Sequence, residues 1–292
     1  MGNYFNMIYN DDCLTVLPKI DTSSIDLVLT DPPYFIGKEM KKNRAVNKLK
    51  FNDSGETINT QMSWDISWES KEEYLNFIKN VFIELVRVLK DDRHIILFVD
   101  KKDLSYIIKI GEDCRLKFRK VLFWRKTNPV PLADGIGPMT SMELAVWFTK
   151  GSVKKEHYNK NLGLITDVLN APIPSAEGSK IRHPSQKPIL FGLQWISYLT
   201  KPNDVVLDCF AGGGTFLLAS KLLNRNYIGI ESNKQYCENI QYRLNTPNSL
   251  VASKFNSFIH DTLKNKLDGI DKTEILTILG SNAERVVAND LF

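Results

Sequence analysis

Hydrophobic and polar positions follow two different periods along this chain. Short apolar runs of strand length lie near residues 6–10, 25–30, 94–99, 119–125, 143–149, 204–209 and 226–231. Between several of these runs the apolar positions recur at helical spacing, most clearly from Lys71 to Leu89. Alternating strands and helices predict an α/β fold, with a mostly parallel sheet of seven strands and helices on both faces. We expect the close pair at 119–125 and 143–149 to form an antiparallel edge.

The run at residues 25–30 ends in the string Asp31-Pro-Pro-Tyr-Phe. Pro32 and Pro33 have a fixed φ and no N–H, so this turn is stiff and its carbonyls point away from the sheet ladder. The amine of adenine or cytosine is a poor nucleophile, and acceptors such as Asp31 and the Pro32 carbonyl would free its lone pair. Tyr34 could stack on the ring, a contact worth roughly 1–3 kcal/mol. The string predicts a nucleobase site, and the alternative is a strand end that proline terminates.

A second pattern lies far downstream, at Asp208-Cys-Phe-Ala-Gly-Gly-Gly-Thr215. A β-branched run enters this turn and a helical stretch follows it, which is the context of a nucleotide-type loop. Gly212 and Gly214 would let the backbone approach a ligand, and the helix N-terminus favours a carboxylate. The next strand ends in Glu231, at a spacing from Asp208 that suits an acid binding ribose hydroxyls. The pattern predicts a cofactor site, and the alternative is a tight turn of an ordinary α/β protein.

Together, Asp31-Pro-Pro-Tyr34 and Phe210-Ala-Gly-Gly-Gly-Thr215 resemble the motifs of the S-adenosylmethionine-dependent DNA amino-methyltransferases, which modify adenine N6 or cytosine N4. The first motif precedes the second in this chain, and His183-Pro-Ser-Gln-Lys187-Pro lies between them. This order resembles the beta group, whose Rossmann-like methyltransferase sheet is circularly permuted. The resemblance spans most of residues 5–245 and implies that permuted fold, with S-adenosyl-L-methionine as the cofactor.

The resemblance also implies roles for single residues. The catalytic residues it implies are Asp31, Pro32, Pro33 and Tyr34. The cofactor contacts that we expect are Asp12, Cys13, Asp208, Phe210, Gly212, Gly214, Thr215, Glu231 and Lys187. Asp12 lies in Asn10-Asp-Asp-Cys-Leu, which resembles the family's Gly-Asp-Cys-Leu string; Asp11 is the substitute, and an acid in the first turn of a helix is the structural alternative. Lys187 is expected near the methionine part of the cofactor, although a surface lysine would give the same string, and His183 is expected to be a turn residue.

Two stretches exceed what a minimal fold needs. The first is basic and follows the Asp31 turn; its cationic residues are Lys38, Lys41, Lys42, Arg44, Lys48 and Lys50. A basic loop beside a base pocket would contact phosphates, and a solvated loop is the alternative. The second stretch covers residues 127–138 and 151–182 and resembles the small target-recognition region of the beta group. We therefore predict a catalytic domain over 1–245, with a DNA-facing loop at 37–70 and a target-recognition region at 127–182, and a C-terminal helical extension of unassigned role at 246–292.

Composition narrows the class of protein further. A chain of 292 residues with 43% hydrophobic content can bury one large core. The cysteines are widely separated, without Cys-x-x-Cys spacing, which predicts reduced thiols and no metal site; they are Cys13, Cys114, Cys209 and Cys237. None follows a proline, so the Pro-Cys nucleophile of the cytosine-C5 methyltransferases is missing. The chain carries no apolar run of about 18 residues, so we expect a cytoplasmic protein without a membrane partner, associated with a prokaryotic or phage nucleoid.

The predicted function is site-specific methylation of adenine N6 in double-stranded DNA, by base flipping and direct transfer from the cofactor. Adenine is preferred because Asp-Pro-Pro-Tyr resembles the adenine enzymes, whereas the cytosine enzymes more often begin this motif with Ser. The alternatives are a cytosine-N4 methyltransferase and a non-catalytic subunit that binds cofactor or DNA. RNA or protein methyltransferases with a similar turn usually place the glycine motif first. A homodimer and a cognate restriction endonuclease are further expected partners.

Overall fold

Eight strands form one mixed sheet in the described part of the chain. The computed structural model describes residues 5–35, 68–131, 137–163, 165–174, 183, 185–246, 248–265 and 270–289. The strands are β1 (Met7–Tyr9), β2 (Ile25–Thr30), β3 (Leu89–Val99), β4 (Leu116–Lys126), β5 (Met142–Lys150), β6 (Val168–Ala171), β7 (Val205–Asp208) and β8 (Asn226–Ile230). Their order across the sheet is β1-β8-β7-β2-β3-β5-β4-β6. Strand β5 runs antiparallel to both of its neighbours, and the other pairs are parallel.

Helices cover both faces of this sheet. The α-helices of the described residues are α1 (Cys13–Val16), α2 (Lys71–Val88), α3 (Leu104–Asp113), α4 (Ile189–Leu199), α5 (Thr215–Leu222), α6 (Lys234–Asn245), α7 (Ser249–Lys264), α8 (Lys272–Leu279) and α9 (Ser281–Asn289). Helix α2 matches the predicted helix to within one residue. It begins where the Ser70 hydroxyl accepts a hydrogen bond from the Glu73 N–H at 3.1 Å, a typical N-cap.

Two hydrophobic cores lie on opposite faces of the sheet. One core packs α1, α2 and α3 against the sheet through fully buried side chains such as Tyr74 and Phe82. The other packs α4, α5 and the C-terminal helices through Phe98, Phe191 and Phe216, among others. Strand β2 is buried at every position because it pairs with β3 on one side and β7 on the other. The two turns that the sequence singled out therefore start from a rigid centre.

The fold class is confirmed, with two corrections to the predicted sheet. The described residues contain eight strands, not seven, because Val168–Ala171 forms an additional strand beside β4. This strand is too short for its pattern to indicate it, and it forms through pairing and through the Trp124 indole, which donates to the Ala171 carbonyl at 2.9 Å. The antiparallel pair therefore does not form the edge: β5 lies between β3 and β4, and β6 lies outside them.

The C-terminal helices pack on the core. Helix α7 lies against α4, and α9 lies against α7 and α8. Phe255, Ile259 and Leu279 are at most 4% exposed within the same core as Phe191. Since a fully buried side chain of this kind contributes roughly 1.5–3 kcal/mol, these helices add substantially to stability. Among the described residues, no helix is long and apolar enough to cross a membrane.

Candidate active site

A cavity of about 1300 Å³ opens at the carboxyl ends of β2, β3, β7 and β8. Strands β2 and β7 are hydrogen-bonded neighbours, with Val28 opposite Leu207, so the turns that follow them lie side by side. In open α/β sheets this edge is where ligands bind, because the loops after parallel strands all emerge there. The Asp31 turn and the glycine turn, separated by much of the chain, thus line one cavity.

The Asp31 turn holds its carboxylate with two donors. The Tyr34 hydroxyl donates to Asp31 Oδ1 at 2.7 Å, which fixes both the carboxylate and the aromatic ring. The Lys187 ammonium donates to Asp31 Oδ2. Burial raises the pKa of Asp31 above that of an exposed carboxyl, although Lys187 opposes this effect. The two hydrogen bonds fix the Asp31 carboxylate in the lining of the cavity. Because its pKa is raised, it is a better proton acceptor than an exposed carboxylate.

Lys187 lies between two carboxylates. Its side chain is 4% exposed, and its Nζ lies 3.3 Å from Glu143 Oε2 in addition to its contact with Asp31 Oδ2. The other Glu143 oxygen lies 2.7 Å from Lys126 Nζ. We call these four side chains, Asp31, Lys187, Glu143 and Lys126, the charged row. Burial acts to lower the pKa of Lys187, but the two carboxylates outweigh burial and raise it, so Lys187 is an ammonium ion.

Glu231 holds the glycine turn by accepting a hydrogen bond from its backbone. The Gly212 N–H donates to Glu231 Oε2 at 2.9 Å, and the Asn233 N–H donates to Oε1 at 2.8 Å. Burial raises the pKa of Glu231. Gly214 begins α5 at φ 70°, and a Cβ there would lie 2.7 Å from Ile240 Cγ2. Gly214 is therefore required for the close packing of the turn on α6, whereas Gly212 faces the cavity.

Asp208 lies at the end of β7, buried beneath the glycine turn. The Thr30 hydroxyl donates to its Oδ1 at 2.7 Å, and the Phe210 N–H donates to the same atom at 3.3 Å. Burial raises the pKa of Asp208 to about 7, because two neutral donors only partly replace water around the charge. Thr30 thereby connects the end of β2 to the end of β7.

The N-terminal acids approach the cavity from β1. Asp12 caps α1, where its Oδ1 accepts from the Leu14 N–H at 2.8 Å, and Asp11 accepts from the Asp12 N–H at 2.8 Å. Asp11, Asp12 and Cys13 all line the cavity. Burial raises the pKa of Cys13 to about 12, so Cys13 is a neutral thiol. Asp12 is therefore the N-cap of α1, not an acid of its first turn, and it also lies at the predicted cofactor site.

An aromatic wall completes the cavity. Phe210 lies 6.1 Å from Phe77, and Phe77 lies 5.3 Å from Trp68, as ring centroids. Phe35, next to the Asp31 turn, lines the same cavity. Aromatic faces of this kind suit flat heterocycles, which stack on them regardless of their exact pattern of hydrogen bonds.

Most of the predicted site residues lie together. The predicted residues that line the cavity are Asp31, Pro32, Pro33, Tyr34, Asp12, Cys13, Asp208, Phe210, Gly212, Thr215, Glu231 and Lys187. Gly214 packs on Ile240 as described above. Lys187 contacts Asp31, so it lies at the Asp31 turn. The predicted DNA contacts Lys38, Lys41, Lys42, Arg44, Lys48 and Lys50 lie outside the described residues.

Sequence reasoning gave no role to five charged residues that line the cavity. Glu143 and Lys126 belong to the charged row, and Asp100, Lys101 and Lys102 follow the end of β3. The signal for these last three was available, since they come directly after a strand whose carboxyl end faces the site. Glu143 had no such signal, because it comes at the beginning of an antiparallel strand.

His183 packs against the glycine turn. A Cβ on Gly212 or Gly213 would lie 3.2 Å from the His183 side chain, and the His183 ring centroid lies 4.8 Å from that of Tyr236. Burial, then the charges of Lys187 and Arg243, lower the pKa of His183 to about 4. The imidazole is therefore neutral at pH 7, and its contacts hold the turn in place.

Comparisons with known proteins identify the family of this chain. Residues 25–242 match the DNA methylase family model for N6 and N4 methyltransferases, and the chain belongs to that family. It is a DNA methyltransferase that depends on S-adenosylmethionine, of the restriction-modification kind. The type II methyltransferase M.HinfI of Haemophilus influenzae is 31% identical over 260 residues, which are 84% of this chain and 69% of that protein.

Other relatives extend the match in sequence and in structure. The type II methyltransferase M2.MboI of Moraxella bovis is 26% identical over 85% of this chain and 90% of its own. The M1.HpyAVI–SAM complex superposes with a TM-score of 0.60 at 26% identity, over 82% of this chain and 99% of that one. The cytosine-N4-specific PvuII DNA methyltransferase has a TM-score of 0.64 at 17% identity, over 89% and 93% of the two chains, and so shares the fold.

The residues of the cavity fit the cofactor of this family. S-adenosylmethionine carries an ammonium, a sulfonium and ribose hydroxyls, and carboxylates are the groups that bind all three. Asp11, Asp12 and Glu231 supply such carboxylates in the lining of the cavity. The aromatic wall supplies faces for a purine, and the volume of about 1300 Å³ leaves room for a nucleobase beside the cofactor.

Proposed function

We propose that this protein methylates the N6 amino group of adenine at specific sites in double-stranded DNA. The observation that carries the proposal is that the Asp31 turn and the glycine turn line one cavity, which brings an amine acceptor beside a cofactor site. The base would leave the duplex at a cost of a few kcal/mol and enter the cavity. Adenine is preferred over cytosine because Asp31-Pro-Pro-Tyr resembles the adenine form of the motif.

The residues of the Asp31 turn have separate roles in the proposed reaction. Asp31 and the Pro32 carbonyl accept the two hydrogens of the amine, which draws the nitrogen towards tetrahedral geometry and frees its lone pair. Tyr34, whose hydroxyl is held by Asp31, stacks on the ring. S-adenosylmethionine supplies the methyl group as an electrophile. Since burial raises the pKa of Asp31, this carboxylate is suited to take the proton that the amine loses.

The cofactor contacts are proposed from the same cavity. Glu231 would bind the ribose hydroxyls, Asp12 the adenine amine, and the turn around Gly212 the carboxylate. We further propose that the basic residues between Lys38 and Lys50 contact DNA phosphates and that 127–182 reads the target sequence. The expected homodimer and cognate endonuclease stay predictions.

Identification of the methylated base tests the proposal. The protein is expressed in a host without DNA methylation, and hydrolysed genomic DNA is examined by mass spectrometry. N6-methyladenine should appear with the wild-type protein and be absent with Asp31→Ala. N4-methylcytosine would instead establish the cytosine alternative. Unmodified DNA, together with cofactor binding by the purified protein, would indicate the non-catalytic subunit and overturn the proposal.

A further inference from the structure

The charged row places four charged side chains next to one another in the lining of the cavity. Lys187 is almost fully buried, and it lies between Asp31 and Glu143 rather than at the end of a single ion pair. An ammonium group has three donors, and each of the three has an acceptor here: Asp31, Glu143 and the Ser185 carbonyl at 3.3 Å. A satisfied network of this kind fixes the positions of its members.

The topology of the sheet explains how Glu143 reaches this place. Strand β5 runs antiparallel to β3 and β4, so its first residues lie at the edge where its neighbours end. Glu143 is the second residue of β5 and pairs with Trp124, which lies two residues before the last residue of β4. Because β5 is antiparallel, the Glu143 carboxylate lies at the cavity, where it contacts Lys126 at the end of β4 and Lys187 beside Asp31.

We infer that Glu143 is a positioning residue for methyl transfer, which acts by holding Lys187 against Asp31. The inference rests on the proposed function. Lysine has a flexible four-carbon stem, so one charged acceptor and one backbone carbonyl do not fix its ammonium. Glu143 supplies the second charged acceptor and is itself held by Lys126 at 2.7 Å. Lys187 then presents one donor to Asp31 Oδ2, while Tyr34 occupies Oδ1, and the carboxylate keeps the orientation that the amine requires.

The charges of the row are balanced, and the loss of Glu143 would change that balance. With two carboxylates and two ammonium groups, the row is neutral; without Glu143 it carries one positive charge. The titratable groups that face Lys187 and Glu143 from the surrounding elements are Asp31, Tyr34, Lys126 and His183. The Glu143 charge raises the pKa of both Asp31 and Lys187, so its removal lowers both.

The test is Glu143→Gln, which keeps the shape of the side chain and removes its charge. We expect kcat for DNA methylation to fall roughly 10- to 100-fold, as misplacement of a reacting group does, while the Kd for S-adenosylmethionine changes less than about twofold. Both limbs of the pH profile of kcat should move to lower pH. Asp113→Asn, which breaks an exposed pair with Lys109 on α3, is the matched control and should behave as wild type.

Three results would overturn the inference. The first is a Glu143→Gln enzyme with wild-type kcat and pH profile. The second is a lower kcat without a shift of either limb, which indicates a structural role only. The third is a failure of Glu143→Asp, which restores the charge, to return the limbs towards their wild-type positions. This variant also serves if the glutamine variant does not fold. A wild-type protein that transfers no methyl group would instead contradict the proposed function.

Discussion

The neighbouring strands β2 and β7 each bring an acid to the same edge of the sheet, Asp31 just after β2 and Asp208 as the last residue of β7, yet the structure holds the two acids differently. Asp31 accepts from a lysine and a tyrosine, and the lysine belongs to a row of balanced charges. Asp208 accepts from the Thr30 hydroxyl and a backbone N–H, both neutral. Burial raises the pKa of both carboxyls, and only for Asp31 does a cation oppose it directly.

The difference shows that topology places a residue and that its partners decide its chemistry. A carboxylate beside a cation can stay ionised while it accepts hydrogens from a substrate amine. A carboxyl among neutral donors, with a pKa of about 7, suits a structural role at the base of a turn. We therefore assign the Asp31 turn to the proposed methyl transfer and the glycine turn to the proposed cofactor site.

The largest effect should follow from Asp31→Ala. The loss of an acceptor at the reacting amine should lower kcat roughly 1000-fold, whereas cofactor affinity should change little, because the glycine turn is intact. Labelled-methyl transfer and calorimetric titration measure the two quantities separately. Asp113→Ala, at an exposed carboxylate paired with Lys109, is the control. Equal losses in turnover and in cofactor affinity would show that the two turns do not have separate roles.

Gly214→Ala should affect the other turn through stability. A Cβ would lie 2.7 Å from Ile240 at a residue whose φ is 70°, so clash and backbone strain combine. Overpacking of this kind costs about 1–3 kcal/mol, which thermal unfolding measures as a lower Tm. Gly137→Ala, at φ 91° on an exposed segment, separates the cost of strain from that of the clash. Equal shifts in Tm for the two variants would argue against the packing role of Gly214.

Glu231→Gln should weaken cofactor binding by about tenfold, or about 1.4 kcal/mol. Its carboxylate holds the Gly212 N–H and faces the cavity, so a neutral amide would both loosen the turn and bind hydroxyls less well. At saturating cofactor, kcat should stay near wild type, which is the reverse of the Asp31→Ala result. A lower kcat at saturation, measured by steady-state kinetics, would give Glu231 a share in the chemistry.

Asp208 should make the stability of the fold depend on pH. The unfolded chain releases this proton near 3.8, whereas the folded chain keeps it up to about 7. Between these values the folded state binds more protons, so the free energy of unfolding falls as pH rises, by at most about 1.4 kcal/mol per pH unit. Asp208→Asn should flatten this dependence in urea unfolding. A variant with the same slope as wild type would place the titration elsewhere.

The sequence allowed much of the site to be predicted, because the Asp31 turn and the glycine turn are both local strings at strand ends. Fixed φ at Pro32 and positive φ at Gly214 are properties that the residue types themselves carry. Strand β2 could be read in the same way from its continuous apolar run. These features depend on neighbours in the chain and on general rules for α/β sheets.

The features that could not be predicted depend on the order of the strands. The contact of Lys187 with Glu143 requires that β5 be inserted between β3 and β4, which no local pattern indicates. Strand β6 exists through pairing with β4 and is too short to show a period. The same limit applied to the C-terminal helices, to which the sequence assigned no role.

The C-terminal helices have a practical consequence for work on a minimal enzyme. The family match ends at residue 242, but the buried surface continues beyond it, since Phe255 and Ile259 share a core with Phe191 of α4. A fragment trimmed at Asn245 would leave that face of α4 bare, and bare apolar patches promote aggregation. Expression trials should therefore keep these helices, and a purification tag is better placed where it does not interrupt them.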